Sequence, residues 1–200
     1  MGLFHGTRTT ALWFAILAMT FAASCKSSGG GLLGPVDETA EAAKLIEAAN
    51  QDQHKIRVLY KANEGKRQEL KAALEANNEV EVKRISADVV QLINEGTNDG
   101  NSALDKIREA QDMQINRDFA EYLRLKEEAI KKQLEAFEQY RQAARSLRDN
   151  YDPKNAQSRE TVKTDFEQRS ERYRELMEKA RDHSSEANEL YKESVRRQKN

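Results

Sequence analysis

The sequence predicts an all-α fold, an elongated antiparallel bundle of three to four long helices with coiled-coil-like packing, and three observations predict it. Good helix formers, namely Ala, Glu, Lys, Arg, Gln and Leu, dominate the chain. The two prolines, Pro35 and Pro153, both fall outside the apolar-periodic stretches. Apolar residues recur at helical spacing, most clearly at Leu123, Ile130, Phe137, Ala144 and Tyr151, a sustained heptad seam. Charged residues make up 34 % of the chain, above the ~25 % of ordinary domains. With a mean hydropathy of −0.88, this suits a bundle with solvated flanks better than a globule with a thick core.

The first helix is expected to start near Glu38, with Asp37 as its cap after Pro35-Val36. Its stripe runs Ile46, Ala49, Ile56, Leu59/Tyr60, Leu70 and Leu74. Gln53, Asn63 and Arg67 fall in the same stripe, so the seam should weaken between Asn63 and Arg67. Asn77 should end this helix, because Asn tolerates the left-handed closing conformation. Asn78-Glu79-Val80-Glu81 then reads as a capping box opening the second helix.

The second helix shows Val82, Ile85, Val89, Leu92 and Ile93, followed by Gly96-TNDGNS. The preferred reading of that segment is a turn, with Ser102 capping the next helix. The alternative is a continuous helix in which Gly96, Gly100, Ala103 and Ile107 share one stripe and let another helix approach closely. Each glycine costs about 1 kcal/mol against Ala in a helix, which favours the turn.

The third helix is expected from Ala103 to Asp149, with Phe119, Leu134, Tyr140 and Leu147 joining its heptad seam. Glu127–Lys131 and Glu128–Lys132 have favourable i,i+4 spacing. Asn150 should close it, and Asp152-Pro153 should open the fourth helix, with Asp as cap and Pro in the first turn. The fourth carries Val162, Phe166, Tyr173, Leu176/Met177, Ala180, Ala187, Leu190/Tyr191 and Val195. The last two helices would each span roughly 65–70 Å, and their short connection makes them antiparallel.

Ahead of this body, Arg8 precedes an apolar run from Ala11 to Ala23, and Ala22-Ala23-Ser24 precede the single cysteine, Cys25. The run is about 13 residues, shorter than the about 20 needed to span a bilayer core. This order resembles a bacterial lipoprotein signal peptide, although Ala22 stands where the lipobox pattern usually has Leu. The resemblance implies a diacylglycerol thioether and a further acyl chain on Cys25, and no other cofactor. A lone cysteine has no intramolecular disulfide partner. Lys26-SSGGGLLGP reads as a flexible spacer with an r.m.s. reach of roughly 20 Å. The expected organisation is 1–24 cleaved signal peptide, 25–37 lipidated cysteine and spacer, and 38–200 helical bundle domain. Lys26, rather than an Asp, follows the cysteine. That implies an outer membrane facing the periplasm in a Gram-negative cell, and the outer face of the plasma membrane otherwise.

Removing residues 1–24 takes away one Arg and no acid, leaving a net charge of −2. A balanced surface gives no reason to expect nucleic acid. The chain has no HExxH, CxxC, GxSxG or phosphate-loop pattern. Gly65-Lys66-Arg67 lacks the Ser/Thr and first glycine of a phosphate loop, and Gly29-Gly30-Gly31 sits in the spacer. Four-helix di-metal sites need paired Glu-x-x-His, but Gln51 and Ala180 stand three before His54 and His183. His183 with Glu186 reads as a solvated helix face. No metal site, catalytic residue or enzyme activity is expected. Phe119, Tyr122, Phe137, Tyr140, Phe166 and Tyr173 read as core packing before a ligand pocket.

The function expected is therefore that of a lipid-anchored extracytoplasmic helical adaptor or spacer, or an envelope-interaction lipoprotein, non-enzymatic. Its partners would be the membrane and then peptidoglycan or another envelope protein, and self-association into a homo-oligomer stays open. The alternative is a small-ligand or metal-binding sensor with its site inside the bundle, at the Gln53/Asn63/Arg67 weak point. Arg196, Arg197 and Lys199 form a candidate basic contact tip. If Gly96–Ser102 is a turn, the tip returns to the membrane side. If it is helix, the tip is expected at the far end.

Overall fold

Five helices, α1 (Thr39–Ala62), α2 (Glu64–Glu75), α3 (Glu79–Gln111), α4 (Arg117–Asn150) and α5 (Ala156–Lys199), make up the computed structural model. It describes residues 37–199. The expectations for the signal segment, Cys25 and the spacer before Asp37 lie outside the described residues, as does the side chain of Lys199. The fold is the all-α bundle the sequence predicts, with no strand and no helix long and apolar enough to cross a membrane among the described residues.

The first leg is α1 followed by α2. Asp37 Oδ1 accepts from Thr39 N at 2.9 Å, so the helix starts one residue later than expected but on the expected carboxylate. The single first helix expected from Glu38 to Asn77 is instead two, broken at Asn63, inside the segment where polar residues interrupt the stripe. There Asn63 Nδ2 donates to Leu59 O at 2.9 Å and Asn63 N donates to Tyr60 O at 3.2 Å, satisfying carbonyls at the end of α1. The leg ends as the sequence predicts. Asn77 has φ 51°, and Asn78 N donates to Ala73 O at 3.0 Å, a left-handed closing motif. Asn78 Oδ1 accepts from Glu81 N at 3.3 Å and opens α3. The capping box is half made, because the Glu81 carboxylate accepts from Arg84 instead.

Two expectations about the middle of the chain are overturned. Gly96–Ser102 is not a turn but lies within the unbroken α3. A Cβ at Gly96 would sit 3.2 Å from Phe137 Cε2, and one at Gly100 would sit 2.7 Å from Leu134 Cδ2. The missing side chains let α4 approach, and that packing offsets the about 1 kcal/mol propensity cost of each glycine. Ser102 caps nothing; its hydroxyl donates to Asp52 Oδ2 at 2.8 Å. The expected helix from Ala103 to Asp149 is instead broken between Gln111 and Arg117. Asn116 Oδ1 accepts from Phe119 N at 2.9 Å and caps α4. The turn is pinned from outside: Glu38 N donates to Gln114 O at 2.9 Å, and Gln114 N donates to Glu38 Oε2 at 2.8 Å.

Two smaller corrections concern α5 and a charge pair. Asn155 rather than Asp152 opens α5, accepting from Ser158 N at 3.0 Å, while Asp152 accepts from Lys154 N in the preceding turn. Lys132 pairs with Glu135, not Glu128; the expected Glu127–Lys131 pair forms at 2.9 Å.

The legs alternate in direction. Ile46 on α1 shares a core with Ile107 on α3, Leu123 on α4 and Ala187 on α5. At the other end Leu70, Val82, Leu147 and Val162 share another. Leu123, Ile130, Phe137 and Ala144 on α4 and Tyr151 just after it are buried, while Leu134 and Tyr140 of the same seam are half-buried. Close packing runs along α4–α5, α3–α4, α1–α3 and α2–α3. No comparably close seam joins α1 or α2 to α5 among the described residues; α1 meets α5 through side chains in the core clusters, and between α2 and α5 the side of the bundle stays open.

Phe137→Ala removes a buried ring from the middle core and should cost about 3–5 kcal/mol in urea unfolding. Gly100→Leu should cost about 1–3 kcal/mol by overpacking against Leu134. A turn at Gly100 would tolerate the leucine, so an unchanged midpoint would contradict the α3–α4 contact.

Candidate functional site

The open side holds the chemistry. Beneath the Asn63 break lies a cavity of about 70 Å³ whose apolar wall includes Ile56, Val89, Ile93, Gly96 and Phe137. Tyr60, Asn63 and Arg67 stand at it from the first leg, Tyr140 from α4 and Tyr173 from α5. A wider groove of about 680 Å³ runs on between α2 and α5 and shares Glu64, Arg67 and Tyr140 with the cavity. Tyr140 lies between Tyr173, with ring centroids 5.2 Å apart, and Phe166, at 6.0 Å. These rings form a row from the cavity into the groove.

Arg67 is exposed and its Nη1 donates to the Tyr60 hydroxyl at 3.4 Å. No carboxylate pairs with it among the described residues, whereas the neighbouring Lys66 pairs with Asp88 of α3 at 2.8 Å. Burial works against the guanidinium charge, but the Tyr140, Tyr60 and Tyr173 phenols around it outweigh that and push its pKa up. Burial pushes the Tyr140 and Tyr173 phenols up as well; a hydrogen bond with Tyr60 adds to the rise for Tyr173, and Arg67 opposes the rise for Tyr140. The hydroxyls therefore stay protonated at neutral pH. A guanidinium with phenolic hydroxyls presents donors, and it suits an anion rather than a cation.

Of the predicted weak point, the structure brings Asn63 and Arg67 to the cavity but not Gln53, whose buried Nε2 has no partner. Phe137, Tyr140 and Tyr173 pack in the core and also line the cavity, while Phe119 and Tyr122 stack at the other end of the bundle. Sequence reasoning missed that Tyr60, Tyr140 and Tyr173 meet. They belong to three helices, and no local spacing links them.

A second polar cluster joins α1 to α3. Asp52 is 4 % exposed and accepts from Lys106 at 2.5 Å, Lys55 at 2.6 Å and Ser102 at 2.8 Å. Burial pushes its carboxyl up, but these donors outweigh burial and hold it at about 2 instead of 3.8. Both of its oxygens are engaged within the fold, which marks it as a structural tie.

His54 is exposed on α1 and His183 half-buried on α5. No group of three or more His, Cys, Asp or Glu side chains converges among the described residues. Gly65-Lys66-Arg67 belongs to helix α2 and forms no loop. At the C-terminal tip Arg197 lies 3.3 Å from Asp118, at the start of α4, and 3.5 Å from Glu193. Arg196 is exposed. The tip therefore sits at the end of the bundle where α1 begins. The expected link between a helical Gly segment and a tip at the far end does not hold, because the turn at Asp112–Asn116 restores the alternation.

No protein-family profile, no curated protein and no solved structure matches this chain.

Because the Asp52 pKa is lowered on folding, its contribution is present above pH about 4 and lost as pH falls through about 2. Asp52→Asn should cost about 1–3 kcal/mol at pH 7 by stranding the Lys106 ammonium. The gap between variant and parent in unfolding midpoint should close as pH falls from about 4 towards 2; a constant gap would assign the cost to packing.

Proposed function

We propose that this chain is a lipid-anchored, extracytoplasmic, non-enzymatic adaptor or spacer of a bacterial envelope. The observation that carries the reading is Cys25 at the end of the Ala11–Ala23 apolar run, followed by a Gly/Ser spacer and then a charged helical body. A single acyl chain gives only marginal membrane binding, so a diacylglycerol plus a further chain on Cys25 is the anchor that holds. The alternating legs supply the rest. Chain entry at Glu38, the α3–α4 turn and the tip with Arg196 and Arg197 share one end of the bundle. That end would face the membrane. The opposite end, where Tyr151 donates to Asn77 Oδ1 at 3.2 Å, would stand about 50 Å further out, the length of α3. Peptidoglycan or another envelope protein would be met there, beside Val80, an exposed apolar residue on the first turn of α3. In a Gram-negative cell the proposed location is the outer membrane, facing the periplasm.

Cys25→Ser should move the protein from the detergent phase to the aqueous phase and abolish acyl labelling. A variant that stays with the membrane would refute the anchor. The tip carries its own test. Basic residues near an anionic surface contribute about 1 kcal/mol each, and Arg197 is already engaged by Asp118 and Glu193. Arg196→Gln with Lys199→Gln removes two such residues, about 2 kcal/mol, and should weaken binding of the Cys25→Ser chain to anionic vesicles about thirtyfold at low salt, and less at high salt. Unchanged vesicle binding would reduce the tip to an ordinary helix terminus.

A further inference from the structure

Three features of the open side point the same way. Its inner cavity is apolar and small. At about 70 Å³ it is about half the size of an engineered cavity that holds benzene, so it suits the end of an alkyl chain rather than a ring. Its outer groove is about ten times larger and mixed in character, with Leu74, Tyr140 and Phe166 beside Lys71, Lys163 and Arg174. Where the two meet stands Arg67, without a carboxylate partner among the described residues and ringed by phenolic hydroxyls. Ser170, whose buried hydroxyl has no protein partner, lines the same groove.

We propose that the side of the bundle left open between α2 and α5 binds a single-chain anionic amphiphile, with its carboxylate or phosphate head held by Arg67 from the groove and its chain end in the cavity over Phe137. The arrangement discriminates by charge. A cationic head would meet the guanidinium of Arg67, while an anionic one finds a forked donor and hydroxyls; Lys71 and Arg174 are already paired, with Glu75 at 3.8 Å and Glu171 at 3.0 Å. Glu64, Glu75 and Glu167 also border the groove, but Lys71 lies 3.8 Å from Glu75, and none of the three pairs with Arg67. The ring row of Tyr173, Tyr140 and Phe166 gives the chain an apolar wall between the two spaces. A fatty acid and the phosphate head of a lipid share this chemistry. The proposal does not depend on Cys25 and stands or falls apart from the anchor.

The test uses the full chain carrying Cys25→Ser, so that no covalent acyl chain competes. Titration calorimetry and native mass spectrometry with dodecanoate and with dodecyl phosphate should show saturable binding of one molecule per chain. A preference for one head identifies the source. Arg67→Gln should weaken binding about tenfold or more, the loss of one charge-assisted hydrogen bond, while Arg67→Lys retains part of it. Arg67 is exposed on α2, so both variants should keep the parent melting temperature. Ile93→Phe, which fills the cavity, should weaken the long-chain probes more than butanoate. Equal affinity of the parent and Arg67→Gln, or equally tight binding of dodecyltrimethylammonium, would overturn the proposal. So would the absence of saturable binding by either anionic probe.

Discussion

The bundle depends on how closely α4 can approach α3, and two glycines decide it. Any side chain at Gly100 would begin 2.7 Å from Leu134 Cδ2, and one at Gly96 would begin 3.2 Å from Phe137. The Ile56 Cδ1 of α1 lies 3.8 Å from the same Gly100 position, so three legs meet there. Drawing three legs together at small residues leaves the fourth gap to be spanned by large ones. Tyr60, Tyr140 and Tyr173 occupy it, and rings with polar ends do not interdigitate as densely as the aliphatic and alanine rows elsewhere. The open side is thus the geometric consequence of the tight one.

The elements legible in the sequence were those whose cause is local. The heptad seam of α4, the left-handed closure at Asn77 and the Asn78 cap all rest on residues within a turn or two of one another, whereas at Asn63 the polar residues announced a weak seam and not the helix break that occurs. The two misplacements share a different cause. Gly96 and Gly100 look like breakers until Leu134 and Phe137 are set against them, and those residues are more than thirty positions away. The turn at Asp112–Asn116 contains neither Gly nor Pro. It is held by Glu38, Thr39 and the partial burial of Met113 and Ile115 in the first core cluster. Local propensity gave the wrong sign at both places because tertiary contacts settled them. The two errors compensate in the count of legs, which is why the up-and-down order was legible even though its middle turn was misplaced.

The candidate site was half legible for the same reason. Asn63 and Arg67 stood out because polar residues in an apolar stripe need an explanation. Gln53 stood out equally and proved to be a buried amide with no role at the cavity. The tyrosines gave no signal, since each fits the seam of its own helix. Only the antiparallel alignment of α4 and α5 sets Tyr140 against Tyr173.

The first leg is tied unevenly along its length, and the contrast bears on movement. Asp52 on α1 is tied by three donors to its own helix and to α3, and the start of α1 is pinned to the α3–α4 turn by Glu38 and Thr39. Lys126 of α4 donates to Asn50 at 2.7 Å and holds α1 from the other side. By comparison α2, beyond the break, buries only Leu70 and Ala73 fully and is joined to α3 by the Lys66–Asp88 pair. Segments with few buried contacts open at lower free energy than those with many. Of the five helices α2 has the fewest buried residues, so it is the side of the groove that opens at lowest cost. Arg67 rides on that helix, above the Tyr140 and Tyr173 rings that pack against one another at 5.2 Å, so an adjustment of α2 moves the guanidinium without disturbing the α4–α5 seam beneath it.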